Sequence, residues 1–141
     1  MKSVKVGDYM SRRLVTFHRN DNVVSAMGVL LDKKISGAPV VDDEGNLVGM
    51  LSEVDLMSVL MQDSYYDESM GIVADYMRSP VDTVEPDVDI YALAERFQKE
   101  HRRRYPVVLN GKLVGQISRR DVLRAAEDFL LRTDRRRQGA G

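Results

Sequence analysis

The sequence has no cysteine and no tryptophan, and it has only two histidines. Without cysteine there can be no disulfide, no thiolate metal site and no cysteine nucleophile. The two imidazoles, His18 and His101, stand in unrelated sequence contexts, and no Gly-rich phosphate loop with a lysine is present. We therefore expect a protein that is not an enzyme and that holds no metal and no catalytic cofactor.

Long apolar runs are also missing. No stretch approaches the ~20 apolar residues of a membrane-spanning helix, and the N-terminal segment MKSVKVGDYM lacks the apolar core of a signal peptide. With 141 residues the chain has the size of one domain, too short for a sensor joined to a separate catalytic domain. Its formal net charge of -1 gives no overall basic footprint for nucleic acid. We expect a soluble, cytoplasmic protein.

What the chain has instead is an internal repeat. A shift of 67 residues, from Val6 to Val73, places VGDYM on VADYM and one Pro-Val-Val on another. The first repeat has one extra residue in its turn, DDEGN against LNGK, so the shift then becomes 66 residues. With that shift three residues of the first repeat, Gly49, Ser52 and Asp55, fall on Gly115, Ser118 and Asp121.

The repeat predicts how the chain is organised. Residues 1–62 form the first repeat, 63–71 a polar, turn-rich linker, 72–132 the second repeat and 133–141 a flexible basic tail. Two copies are too few for a solenoid, which needs at least ~3 units to cover its core. We therefore expect the two copies to pack on each other with pseudo-two-fold symmetry.

Each repeat predicts the element order β-α-β-β-α, and the two together predict an α/β fold. The boundaries in the two repeats are the strand ends Thr16 and Thr83, the helix N-caps Asn22 and Asp89, and the second N-caps Ser52 and Ser118. In the second repeat the two adjacent strands are joined by Asn110-Gly111, a pair typical of a type I′ hairpin turn.

The predicted core follows from apolar residues at regular spacing. The first helix of each repeat carries one apolar stripe, made by Val23, Met27, Leu30 and Leu31 and by Ile90, Leu93, Ala94 and Phe97. Buried strands are predicted at Val40 and Val41 and at Val107 and Val108.

Two segments carry a resemblance to a known family, ISGAPVVDDEGNLVGMLSEVD and RRRYPVVLNGKLVGQISRRD. With the repeats upstream of them, they resemble a tandem pair of CBS domains, the cystathionine β-synthase type repeat that forms a Bateman module. The resemblance covers nearly the whole chain. It implies a pseudo-symmetric α/β unit that regulates and does not catalyse. It further implies clefts between the repeats that bind adenosine-containing ligands such as AMP, ADP, ATP or S-adenosylmethionine.

The chemistry of the repeated Ser-x-x-Asp agrees with such a ligand. An Asp in the first turn of a helix can accept hydrogen bonds from both hydroxyls of a ribose. Ser118 stands at a helix start, where free N–H groups and the helix dipole favour a phosphate. The alternative is purely structural. In that interpretation Ser52 and Ser118 cap helices, while Asp55 and Asp121 offset the dipole of the first turn.

The segment HRRRY, which begins at His101, makes the two repeats different. The resemblance places the residues before this strand in the cleft, so Arg103 and Arg104 are expected to contact phosphate, with Arg120 beside Asp121. The alternative is a solvated basic face. The complete set of candidate ligand-binding residues is Asp121, Ser118, Arg120, Arg104, Arg103, Ser36, Val15, Asp55, Ser52, Gly37, Thr16 and Thr83.

The first repeat has no arginine before its strand, where Ser36 would offer a hydroxyl and Gly37 a close backbone approach. We therefore expect the cleft at Asp121, completed by Ser36, to bind phosphorylated adenosine more tightly than the cleft at Asp55.

The resemblance also implies a homodimer formed through helices, for which the flexible side chains of Met57 and Met61 are suited. Because the chain has no effector domain of its own, the regulated protein is expected to be a separate polypeptide. A ligand would act on it by binding two arrangements of the repeats with different affinity. The alternative function is an RNA-binding module that uses the arginine clusters.

Overall fold

The computed structural model describes residues 4–62 and 70–139, with side chains as far as residue 132. These residues form two compact units. The unit that we call the Asp55 unit comprises residues 14–62, 70–82 and 110–113, and the Asp121 unit comprises residues 4–13, 83–109 and 114–139. The opening segment of each repeat is therefore grouped with the body of the other repeat. Of the predicted linker, 63–71, residues 63–69 lie outside the described part of the chain.

The Asp55 unit contains a three-stranded sheet with two helices. In chain order its elements are β1 (Phe17–His18), α2 (Val23–Lys33), β2 (Gly37–Val41), β3 (Leu47–Ser52), α3 (Glu53–Leu60) and a 3₁₀ turn (Val73–Asp75). β1 is parallel to β2, and β2 is antiparallel to β3. Ten buried residues form its core: Phe17, Val23, Ala26, Leu30, Ala38, Val40, Leu51, Leu56, Val59 and Val73.

The Asp121 unit contains three helices and most of one hairpin. Its elements are α1 (Val6–Tyr9), α4 (Ile90–Glu100), β4 (Arg104–Leu109), β5 (Lys112–Ser118) and α5 (Arg119–Gly139). Helix α5 includes residues 133–139, which the sequence analysis assigned to a flexible tail. Its ten buried core residues are Val6, Val84, Ile90, Leu93, Phe97, Tyr105, Val107, Ile117, Val122 and Ala125.

Hydrogen bonds hold each opening segment in its unit. In the Asp121 unit, Val6 N–H donates to Val88 O at 2.9 Å, and the Tyr9 hydroxyl donates to Asp128 Oδ2 at 2.7 Å. In the Asp55 unit, Val73 N–H donates to Asp21 O at 2.9 Å. Val6 and Val73, which occupy equivalent positions in the two repeats, are both fully buried in these cores.

Several local predictions are confirmed. Asn22 and Asp89 are N-caps, because their side chains accept backbone N–H groups of the first turn of α2 and of α4. Asn110 and Gly111 have φ angles of 52° and 82°, as a type I′ turn requires. The fold is mixed α/β with two repeats, as predicted.

Other local predictions were wrong. The first strand does not end at Thr16 but begins after it, and the matching segment near Thr83 forms only an isolated bridge between Val84 and Val107. In the apolar stripe of α2, Leu31 is exposed. The buried face of this helix is formed by Val23, Ala26 and Leu30, and Leu31 lies beside that face. Val108 is only half-buried, whereas Val40, Val41 and Val107 are buried as expected.

Candidate functional site

Ser52 and Asp55 form a capping box at the start of α3. The Ser52 hydroxyl accepts the N–H of Asp55 at 3.3 Å, and Asp55 Oδ2 accepts the N–H of Ser52 at 2.9 Å. The Ser52 hydroxyl also contacts Asp55 Oδ2 at 2.8 Å. These bonds satisfy backbone donors that a helix start otherwise leaves unpaired. They use Oδ2 and leave Oδ1 directed at other groups.

Ser118 and Asp121 repeat this arrangement at the start of α5. Asp121 Oδ2 accepts the N–H of Ser118 at 2.9 Å, and the Ser118 hydroxyl accepts the N–H of Asp121 at 3.2 Å. Both carboxylates are therefore held in one orientation by their own helix. The capping interpretation of the motif is confirmed for Ser52 and Ser118, and it involves the Oδ2 atom of each aspartate.

The residues before β2 and β4 lie next to these helix starts. Ser36 O accepts the N–H of Glu53 at 2.9 Å in the Asp55 unit. In the Asp121 unit Arg103 O accepts the N–H of Arg119 at 3.2 Å. Ser36 and Arg103 occupy equivalent positions in the two repeats. The residue beside the Ser-x-x-Asp motif is therefore a serine in one unit and an arginine in the other.

Gly37 has a packing role at the same place. Its Cα pairs with that of Ser52 across the β2–β3 ladder, and a Cβ at Gly37 would lie 3.0 Å from Leu51 O. Gly37 is therefore needed for packing against the neighbouring strand of its own unit, and its close approach to a ligand stays a prediction.

Each motif aspartate has an arginine partner that the sequence analysis did not predict. Arg78 Nε lies 3.4 Å from Asp55 Oδ1, and Arg124 donates from a terminal guanidinium nitrogen to Asp121 Oδ1 at 3.1 Å. Arg124 follows Asp121 by three residues on one helix, a spacing at which side chains meet. Arg78 is distant in sequence and comes from the segment after the 3₁₀ turn, so no local pattern indicates it.

The backbone of Thr83 is hydrogen-bonded to a cluster in the Asp121 unit that consists of Arg96, Tyr105 and Glu100. The carbonyl oxygen of Thr83 accepts a hydrogen bond from Arg96 at 2.9 Å, and the Arg96 guanidinium lies 4.5 Å from the ring centre of Tyr105. The Tyr105 hydroxyl donates to Glu100. Burial, together with this hydrogen bond, raises the pKa of Tyr105 to about 12, and the same bond lowers the pKa of Glu100. The cluster fixes the backbone at Thr83.

The structure divides the predicted site residues between the two units. Val15, Thr16, Ser36, Gly37, Ser52 and Asp55 belong to the Asp55 unit, whereas Thr83, Arg103, Arg104, Ser118, Arg120 and Asp121 belong to the Asp121 unit. Val15 packs against the core of its unit, and Thr16, Arg103 and Arg120 are exposed. Ser36 was expected to complete the site at Asp121, but it is grouped with Asp55.

Two further properties concern residues 4–62 and 70–139 alone. In this part of the chain no group of three or more His, Asp or Glu side chains is placed to hold a metal ion. None of the helices described there is both long and apolar enough to cross a membrane.

Comparison with known proteins identifies the family. Residues 6–62 and 73–128 match the sequence model of the CBS domain. Because these two segments make up most of the chain, the protein belongs to the CBS domain family and contains two copies of the domain. The family resemblance of the two Pro-Val-Val segments is confirmed.

Three similar proteins illustrate the relationship. The crystal structure of CBSX2 of Arabidopsis thaliana in complex with AMP has a TM-score of 0.78 and 32% identity, covering 89% of this chain and 97% of the crystallised CBSX2 chain. The CBS domain pair of protein MJ0100, in complex with 5′-methylthioadenosine and S-adenosyl-L-methionine, has a TM-score of 0.73 and 25% identity, covering 90% and 98%. The uncharacterized protein MJ1404 of Methanocaldococcus jannaschii is 30% identical over 140 residues, which are 92% of this chain and 33% of MJ1404.

The chain is shorter than many of its relatives. It spans between 15% and 41% of the length of three curated proteins that it matches. The match covers most of this chain and less than half of each of those three proteins.

Proposed function

We propose that this protein is a regulatory CBS pair that binds adenosine-containing ligands at Asp55 and Asp121 and transmits binding to a separate effector protein. The observation that carries the proposal is the duplicated Ser-x-x-Asp motif. In both copies the capping bonds hold the carboxylate through its Oδ2 atom. A carboxylate held in this way is prepared to accept ribose hydroxyls without further ordering. No catalytic step is proposed.

The class of ligand is supported by two relatives. CBSX2 was crystallised with AMP, and the CBS pair of MJ0100 with 5′-methylthioadenosine and S-adenosyl-L-methionine. These ligands share adenine and ribose and differ in charge at the 5′ position. A site that reads the ribose through an aspartate suits all of them, so the 5′ group is the part on which their affinities should differ.

We propose that the Asp121 site binds phosphorylated ligands more tightly. Its unit carries Arg103 immediately before β4, Arg104 as the first residue of β4, and Arg120 next to Asp121. A carboxylate has about four lone-pair positions. Oδ2 of Asp55 already has two close contacts with Ser52, namely its N–H and its hydroxyl, whereas Oδ2 of Asp121 accepts the N–H of Ser118. Asp121 also accepts a hydrogen bond from Arg124 at Oδ1, so the two carboxylates have similar capacity for ribose hydroxyls, and the arginines carry the proposed difference.

We further propose that the protein is a homodimer assembled through its helices. Large apolar side chains are exposed on α2, α3, α4 and α5 and at the C-cap of α3, among them Leu31, Val54, Met57, Leu60, Met61, Tyr91, Leu123 and Leu130. A groove of about 840 Å³ between α4 and α5 is lined mainly by apolar atoms. Exposed apolar surface of this extent is typical of an interaction site, and a two-fold dimer is the commonest closed assembly.

A thermal-shift panel tests the proposed function. AMP, ADP, ATP, adenosine and S-adenosylmethionine are added to the full chain, and a ligand that binds the native state raises the melting temperature by mass action. At 100 times its Kd a ligand adds roughly 2.7 kcal/mol, a shift of several degrees. No shift with any of the five compounds would refute adenosine binding.

The competing interpretation, an RNA-binding module, is examined with the same protein. Phosphate contacts by arginine give binding that weakens steeply with salt. Tight, salt-dependent retention of a single-stranded RNA, together with no response to nucleotides, would favour that interpretation over ours.

A further inference from the structure

Arg78 lies in the candidate site at Asp55 because its backbone is paired with β3. Met50 N–H donates to Arg78 O at 3.0 Å, and Arg78 N–H donates to Met50 O at 2.9 Å, an antiparallel bridge at the middle of the strand. The position of Arg78 is therefore set by the main chain, and its side chain is an addition to a site that Ser52 and Asp55 already define.

Gly49 allows the Arg78 segment to approach this closely. A Cβ at Gly49 would lie 3.0 Å from Arg78 O and 2.6 Å from Met77 Sδ. Such distances leave no room for a side chain, so the glycine and the bridge at Met50 together hold the Arg78 segment against β3.

The ion pair between Arg78 and Asp55 joins a mostly exposed guanidinium to a mostly buried carboxylate. The side chain of Asp55 is 10% exposed and that of Arg78 is 61% exposed, with Nε 3.4 Å from Oδ1. Oδ2 is engaged by Ser52, so Oδ1 is the atom that both Arg78 and an entering ribose hydroxyl would use. Because the Arg78 guanidinium is mostly exposed, water screens its pairing with Asp55, and a ribose hydroxyl that takes Oδ1 can displace it.

We infer that Arg78 determines which adenosine ligands the Asp55 site accepts, selecting those with a negatively charged 5′ group; this inference rests on the proposed function. When a ribose hydroxyl takes Oδ1, the guanidinium needs another anionic partner. A 5′-phosphate provides one with bidentate geometry. A neutral nucleoside leaves the guanidinium without a partner, and the sulfonium of S-adenosylmethionine is repelled by it.

The Asp121 unit provides the natural comparison. Ser11 occupies the same place there: its N–H donates to Gln116 O at 2.8 Å and the return bond measures 3.0 Å, beside a glycine, Gly115, that is equally restricted. The two sites thus share one backbone arrangement with an arginine in one and a serine in the other. Arg78→Ser is accordingly the substitution that gives the Asp55 site the residue found in its counterpart.

Isothermal titration calorimetry with AMP, adenosine and S-adenosylmethionine tests the inference. The host is the full chain carrying Asp121→Ala, which weakens the Asp121 site ~10-fold or more, and every effect of Arg78→Ser is measured relative to this host. Asp121→Asn, which keeps a cap for Ser118, is a second host. Adding Arg78→Ser should weaken AMP binding ~10-fold, the loss of one charge-assisted contact. Adenosine binding should stay the same or tighten up to about fivefold, because Asp55 loses a competitor. Arg132→Ser, which removes an exposed cation from the other unit, is the charge-matched control and should change neither affinity.

Each other outcome is decisive. If both hosts bind AMP and Arg78→Ser leaves the ratio of AMP to adenosine affinity unchanged, the inference is wrong and the proposed function stands. If the wild-type chain binds AMP and neither host does, Asp55 is not a binding site and the inference is again wrong. If the wild-type chain binds none of the three compounds, the proposed function and the inference are both overturned.

Discussion

At the scale of single residues, Tyr105 shows how charge and burial are combined in the Asp121 unit. Its ring is fully buried, packs 4.8 Å from the ring of Phe97 and lies under the Arg96 guanidinium. The hydroxyl donates to Glu100, which satisfies a polar group that would be costly to bury alone. Tyr105 directly follows the three arginines of HRRRY. The buried tyrosine therefore anchors the start of β4, and the arginines place cations beside that anchor.

The raised pKa of Tyr105 predicts how stability depends on pH. An unfolded tyrosine ionises near pH 10, and in the folded protein the pKa is about 12. The stabilisation by this group is complete below pH 10 and is lost as the pH rises through 12, to a limit of roughly 2 to 3 kcal/mol. In Tyr105→Phe that component is absent. Urea unfolding followed by circular dichroism at pH 9 and pH 12 should show the two proteins becoming closer in stability by about 2 kcal/mol. A constant difference between them would contradict this account.

The residue scale also shows what sequence can and cannot predict about the site. Ser52, Asp55, Ser118 and Asp121 were found because the motif is duplicated in register. Arg78 was missed because its approach to Asp55 depends on pairing with β3, a contact between residues far apart in the chain. The ligand-binding roles of the twelve candidate residues remain predictions.

At the scale of the elements, two glycines allow equivalent segments of the two repeats to lie close to β3 and β5. A Cβ at Gly49 or at Gly115 would lie 2.6 Å from a methionine sulfur and 3.0 Å from a backbone oxygen. The sulfur can move, because methionine is flexible, but the oxygen belongs to a paired backbone. The repeated glycine noted in the sequence is therefore required by the close approach of the chain.

Three alanine substitutions separate this packing role from the ordinary properties of glycine. Gly49→Ala and Gly115→Ala should each destabilise the protein by about 1 to 3 kcal/mol through overpacking. Gly28→Ala is the control, since Gly28 lies within α2 and no described atom lies within 4 Å of the added Cβ. It should stabilise the protein by about 0.5 to 1 kcal/mol, because alanine is the better helix former. Urea unfolding measures all three, and equal effects at Gly28 and Gly49 would be inconsistent with the close approach.

Helix starts were predictable and short strands were not. Asn22 and Asp89 accept hydrogen bonds from residues two or three positions away, so the local sequence is enough to predict them as N-caps. β1 has two residues, and its limits depend on pairing with Val40 and Val41. The equivalent segment near Val84 makes a single bridge, and it has Glu85-Pro86 where the first repeat has His18-Arg19. Proline has no N–H to donate to a neighbouring strand, whereas the limits of β1 depend on its pairing partners.

At the scale of the whole molecule, the repeats and the compact units are not the same. The opening segments are exchanged, so that residues 4–13 complete the core around Val107 and residues 70–82 complete the core around Val40. No sequence pattern indicates this, because the internal similarity is unchanged whichever core a segment joins. Isolated repeats should consequently lack part of their core.

The proposed homodimer is tested by charging one exposed apolar position. Leu60→Glu, on α3, and Leu123→Glu, on α5, replace side chains that are exposed in the single chain. Each should leave the fold intact and shift sedimentation towards the monomer, because an interface cannot bury an unpaired carboxylate without a large penalty. Leu109→Glu, at the end of β4 and outside the helices, is the matched control. A wild-type protein that is monomeric at all concentrations, with and without nucleotide, would contradict the dimer.

The central claim is that the aspartates of the duplicated capping box also bind the ribose hydroxyls of an adenosine ligand. Calorimetric titration with AMP measures this binding directly. Asp121→Ala should weaken the tighter site ~10-fold or more, the effect of losing a charge-assisted hydrogen bond of roughly 1.5 to 3 kcal/mol. Asp55→Ala should leave that site nearly unchanged. Equal losses from the two substitutions would contradict the difference between the sites. A wild-type protein that gives no heat with AMP, ADP, ATP or S-adenosylmethionine would contradict the claim itself.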